Sequence, residues 1–94
     1  MCTMIVEKVA MEGSGKGTGG WFHVNQANVS YDHPFNAPFE HALNIDFVNQ
    51  SQGLAARVAV ELSENSAREL VKTILSVLDQ AEAGGQLESQ HHHV

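Results

Sequence analysis

The apolar period of this chain changes at Ser63, and that change decides most of what it can fold into. Before it, His41 to Asn49 (HALNIDFVN) alternates, with His41, Leu43, Ile45 and Phe47 on one face and Ala42, Asn44, Asp46 and Val48 on the other. Leu54 to Leu62 (LAARVAVEL) alternates too, Ala56, Val58, Val60 and Leu62 facing one way and Arg57 and Glu61 the other. Asn49-Gln50-Ser51-Gln52-Gly53 between them is turn chemistry. After the change, Ala67, Leu70, Val71, Ile74, Leu75 and Leu78 recur at helical spacing along one stripe. Ser63 suits the N-cap, Glu64 the positive helix end, and Gly84 the stop.

Upstream, Thr3 to Met11 (TMIVEKVAM) reads as a strand with two partly apolar faces, and Trp21 to Asp32 (WFHVNQANVSYD) as a second, longer one. The weak β stretch Asn25-Gln26-Ala27-Asn28 at its middle predicts either a bulge or a second hairpin. Between the two strands, Glu12 to Gly20 carries five glycines in nine residues and reads as a flexible hairpin connection. A phosphate-loop reading of GSGKGTGG fails. Ala10 stands where that pattern needs its first glycine, and Trp21-Phe22-His23-Val24 continues as strand where a helix must open to receive the phosphate.

The order β-β-β-β-α predicts an α+β two-layer sandwich: an antiparallel four-stranded sheet with one C-terminal helix packed on one face. Residues 1–83 are expected to form a single domain. Residues 84–94 follow a double glycine, lack apolar periodicity, and read as a disordered or tag-like tail whose His91-His92-His93 run is set aside.

Such a chain is short of core. Its 94 residues, 43% apolar, bury only about 60–65% of the unfolded surface, and domains of this size usually gain from a dimer interface, a metal or disulfides. Cys2 is the only cysteine, so an intramolecular disulfide is excluded and a homodimer or a metal is expected. The net charge of −6 gives no footprint for phosphate contacts, which argues against nucleic acid and anionic membranes as partners. No apolar run approaches the ~20 residues of a membrane span, and the N-terminus lacks the plan of a signal peptide, so a cytoplasmic location is expected.

Candidate chemistry concentrates in Asp32-His33-Pro34-Phe35-Asn36-Ala37-Pro38-Phe39-Glu40-His41, which holds both prolines of the chain. Pro34 biases His33 toward extended backbone and Pro38 constrains the approach to Glu40 and His41, so this connection is stiff. If the flanking strands pair, His33 and His41 converge, and His23 joins them only if the second strand folds back. Imidazoles with a carboxylate suit zinc, iron or copper, so the first expectation is a small metal-binding protein, perhaps a mononuclear metalloenzyme. There His33, His41 and His23 would be ligands to a divalent transition metal, and Glu40 or Asp32 would be ligand, orienting acid or acid/base. The bland alternative makes His33 a loop residue bonded to backbone, His41 a core-edge residue beside Leu43, and His23 an ordinary strand residue near Trp21 and Phe22.

Cys2, once Met1 is removed, would offer the thiol and amine of an N-terminal nucleophile, but that fold needs far more chain; Cys2 otherwise remains a conceivable soft ligand. Asn44 and Asp46 share a strand face and resemble a ligand-positioning pair, although polar residues commonly occupy the outward face of a half-exposed strand. The second functional expectation follows from that face. A non-catalytic ligand-binding or accessory module would use Asn44, Asp46, Arg57, Glu61 and Val48 to hold a partner chain or a small molecule, as a homodimer.

Met1-Cys2-Thr3, Gly19-Gly20-Trp21-Phe22, Asp32-His33-Pro34 with Pro38 and Glu40-His41, Leu43 to Phe47, and Arg57 to Leu62 together resemble a family of small bacterial proteins of unknown function. The likeness spans nearly the whole chain before the tail and implies a complete domain. It implies no reaction type.

Overall fold

The computed structural model describes residues 5–86. Four strands, β1 (Ile5–Gly17), β2 (Gly20–Asp32), β3 (Ala42–Val48) and β4 (Arg57–Leu62), precede one helix, α1 (Glu64–Ala83). The strands form one antiparallel sheet in the order β1-β2-β3-β4, so the α+β organisation expected from the sequence is present: an open four-stranded sheet with a C-terminal helix. The chain divides into two compact units, Met1–Glu64 and Asn65–Val94, the first holding the sheet and the second nearly all of the helix.

Register makes the faces explicit. Leu43, Ile45 and Phe47 stand opposite Leu62, Val60 and Val58 on one side and Tyr31, Val29 and Ala27 on the other, giving a continuous apolar face. On the reverse face Asn44 stands opposite Glu61, and Asp46 reaches diagonally to Arg57 at 2.9 Å. The fully buried apolar residues are small or medium: Val24, Ala27, Ala42 and Ala56.

The glycine-rich stretch departs from its expected role as a connection. β1 runs through Gly13, Gly15 and Gly17, β2 begins at Gly20, and only Thr18-Gly19 lie between them. The reason is their spacing of two, which puts these three glycines on one side of the strand, where missing side chains let neighbours close in. A Cβ on Gly15 would meet Val24 Cγ2 at 3.1 Å, and one on Gly17 would stand 2.6 Å from the Ala55 carbonyl oxygen. That second contact reaches the approach to β4, at the opposite sheet edge from β1. The sheet is therefore coiled, bringing the hairpin tip across its own strands. Gly20, at φ 111°, supplies the left-handed backbone that closes the hairpin.

Part of the coiling comes from a bulge. Ala10 pairs with Gln26 and Gly13 with Val24, so Met11 and Glu12 oppose the single residue Asn25. Of the two expectations for the middle of the second strand, the bulge is what forms. Asn49, only 4% exposed, then ties the far end of the sheet together. Its Nδ2 donates to the His23 carbonyl at 2.8 Å, and its Oδ1 accepts from the Ser51 N–H at 3.1 Å and the Ser51 hydroxyl at 2.7 Å. The strand expected from Leu54 begins at Arg57, because Asn49 to Ala56 close a short 3-10 turn (Gln50–Gln52) and a tight bend.

α1 is described by itself. Its 20 residues carry the expected stripe, and none of them is buried. Leu70 (43%), Val71 (57%), Ile74 (49%), Leu75 (55%) and Leu78 (47%) remain exposed. Among the described residues no helix is long and apolar enough to cross a membrane.

Candidate functional site

Antiparallel pairing of Asp32 with Ala42 places the next residues outward, His33 and His41, side by side at the mouth of the proline-containing loop. Their rings stack with centroids 4.7 Å apart and planes inclined by 26°. Tyr31 extends the column, its ring 5.8 Å from that of His41 at 17°. The sequence thus yields a three-ring stack because Tyr31 is the last face-sharing residue of β2 before the loop begins. His33 Nδ1 lies 2.8 Å from the Glu40 carbonyl oxygen. A carbonyl only accepts, so the bond requires the proton on Nδ1. The Asp32 carboxylate accepts from the His33 backbone N–H at 2.7 Å, fixing the start of the loop.

The stiffest part of the loop is held from a distant strand. Glu61, on β4, accepts backbone N–H bonds from Phe35 (2.6 Å), Asn36 (3.0 Å) and Ala37 (2.8 Å). Its carboxyl is held below its ordinary value of 4.5, chiefly by the Phe35 N–H and then by that of Ala37, against a smaller opposing push from desolvation. The prolines and this clamp together define the loop. Nothing in the local sequence pointed to Glu61, which reads as an ordinary outward residue of an alternating strand; only the fold brings it within reach.

The expected site residues divide into two groups. His33, His41, the Asp32 carboxylate and the Glu40 backbone gather at one end of β2. His23 pairs with Ser14 near the other end, ten residues from His33 along the strand, about 30 Å at the usual rise of a β-strand. Its carbonyl is bonded to Asn49. His23 is thus not brought to the other two, because β2 runs on through its bulge rather than doubling back. Among the described residues no group of three or more His, Cys, Asp or Glu side chains is arranged to hold a metal ion. Cys2 lies outside the described residues.

Of the polar pair on β3, Asp46 is committed to Arg57, with the Nε–Oδ1 and Nη2–Oδ1 distances 3.2 and 2.9 Å. The Asn44 amide donates to the Ala42 carbonyl at 3.3 Å, and its Oδ1 is buried with no hydrogen-bond partner. The polar face of the sheet is therefore largely bonded to itself.

A family model matches residues 1–87, the stretch that carries the sheet, the histidine loop and the helix. The chain belongs to DUF6295, a family of unknown function. Membership agrees with the resemblance read from the residues flanking the loop, and DUF6295 brings no reaction with it. No curated protein and no solved structure matches this DUF6295 chain.

Proposed function

We propose that this chain is a non-catalytic binding or accessory module that works as a homodimer, with the apolar stripe of α1 as the seam against a second copy. The observation that carries this reading is the lack of large, fully buried side chains. Leu70, Val71, Ile74, Leu75, Val77 and Leu78 are 43–58% exposed. Soluble monomers rarely leave so continuous a patch uncovered. A self-complementary helix is the simplest surface for a two-fold partner, since Ala67, Val71, Ile74 and Leu78 follow the 4-3-4 spacing of a two-helix seam. At 20 residues the helix is about 30 Å long, enough with neighbouring apolar groups for an interface near the ~800 Å² per partner of stable dimers. Placing the contact here moves it from the polar sheet face, where Asp46 with Arg57 and Glu61 with the loop satisfy one another.

Analytical ultracentrifugation tests this directly. The wild-type chain should sediment as twice 10.2 kDa and Ile74→Glu as a single 10.2 kDa chain with its strand signal intact. Wild-type protein that stays at 10.2 kDa throughout the micromolar range would refute the proposal.

A second reading is favoured by the approach of His33 and His41. Two imidazoles whose centroids are 4.7 Å apart, one oriented through Nδ1 by a carbonyl, form half of a site for zinc, iron or copper. Asp32 is the nearest carboxylate in sequence, and a ligand from elsewhere would complete the shell. Metal analysis of protein lacking residues 84–94 checks it. Retained stoichiometric metal that is lost in His33→Ala with His41→Ala supports the site, and metal-free protein whose melting ignores added zinc or iron removes it.

A further inference from the structure

A concavity of about 390 Å³ lies where the glycine-bearing half of β1 coils over the sheet. Met11, Trp21, Val24, Phe47 and Val58 give it apolar walls, and Ser14 and Lys16 are its polar side chains. We propose that this concavity is a binding site for a small amphipathic anion, an apolar or aromatic body that carries one carboxylate.

Volume and lining set the class. Ligand sites of about 300–1,000 Å³ are walled by apolar and aromatic groups with a few polar ones that fix orientation, and this one has that make-up. Gly13 and Gly15 form part of the wall, so ligand atoms would approach the backbone itself; a Cβ built on Gly13 meets nothing within 4 Å. Trp21 is 71% exposed although it is the largest apolar side chain in the molecule and the only tryptophan. A ring of that size at the rim of an apolar concavity offers a stacking wall at low entropy cost.

Charge narrows the choice further. Lys16 stands directly opposite Trp21 across the hairpin and makes no ion pair among the described residues, whereas Arg57 is bonded to Asp46 and Lys72 to Glu69. In a chain of net charge −6, an ammonium at the rim beside an indole selects for an anion on an apolar body. A neutral or cationic ligand of the same shape would gain the walls but not the ammonium. The proposal is independent of the dimer, because every lining residue lies between positions 11 and 58, outside α1.

Trp21 is its own reporter. Titration with 4-phenylbutanoate, excited beyond the probe's absorption, should give a saturable change in Trp21 emission. 4-Phenylbutanamide, matched in shape but uncharged, should bind about tenfold more weakly. Lys16→Gln should erase that difference, and Gly13→Leu should abolish the saturable change for both probes by filling the concavity. Amide NMR shifts should map to residues 13–16 in the wild type. The proposal falls if the two probes bind equally to the wild type, if Gly13→Leu with an unaltered melting profile binds as well as wild type, or if neither probe saturates at millimolar concentration.

Discussion

A carboxylate that accepts three consecutive backbone N–H groups, as Glu61 does from Phe35, Asn36 and Ala37, is favoured in its ionised form by each of them. Because the folded value is depressed, the contribution is fully present above 4.5 and is lost as the pH falls through the lower folded value. Hydrogen exchange at residues 35–37, corrected for intrinsic rates, should show protection that is constant from neutral pH down to 5 and collapses below 4.5. Glu61→Gln, which keeps the shape and loses the charge, should weaken that protection at neutral pH and remove its pH dependence. Unchanged exchange in Glu61→Gln would mean that the prolines alone hold the loop. A second residue-scale test separates two glycines. Gly17→Ala must displace the Ala55 carbonyl, since its Cβ would lie 2.6 Å away. It should cost about 1–3 kcal/mol in chemical denaturation, the usual range for overpacking. Gly13→Ala enters open space and should be neutral or stabilising by up to ~1 kcal/mol through the unfolded chain. Equal effects at the two positions would contradict the close approach of the hairpin tip.

At the scale of elements, the parts with a clean period were the legible ones. β3, β4 and α1 follow from alternation and from the helical stripe, with ends that differ by a few residues where the Asn49 turn takes over backbone bonding. The hairpin was harder. Its glycines read as flexible by composition, whereas their spacing of two was the informative signal, placing three positions without side chains on one strand side. The loop between β2 and β3 was legible as stiff, and the pairing of Asp32 with Ala42 followed from adjacent antiparallel strands, which brought His33 to His41. The Glu61 clamp and the Asn49 ties were not legible, because each joins backbone groups 24 to 26 residues away that no local pattern reports. His23 was linked to the loop by residue type alone, and a continuous β2 keeps it remote.

For the whole molecule, exposed apolar surface leads to a statement about concentration. If a second copy covers α1, native stability is inseparable from protein concentration, and each tenfold dilution should remove about 1.4 kcal/mol per dimer and lower the melting temperature. Ile74→Glu should melt at one temperature whatever the concentration, and a wild-type midpoint equally insensitive to dilution would count against the assembly. β1 adds a separate consequence. It is an edge strand of 13 residues with Ile5, Val6 and Val9 about half exposed, and its outer row of backbone groups has no neighbouring strand in the sheet. Such a border is a template on which further strands can add, restrained here by the charges of Glu7 and Lys8 and by the kink at Met11-Glu12. Fibre formation is therefore the hazard this chain has to manage, and substitutions that neutralise Lys8 or straighten the kink would be the ones to release it.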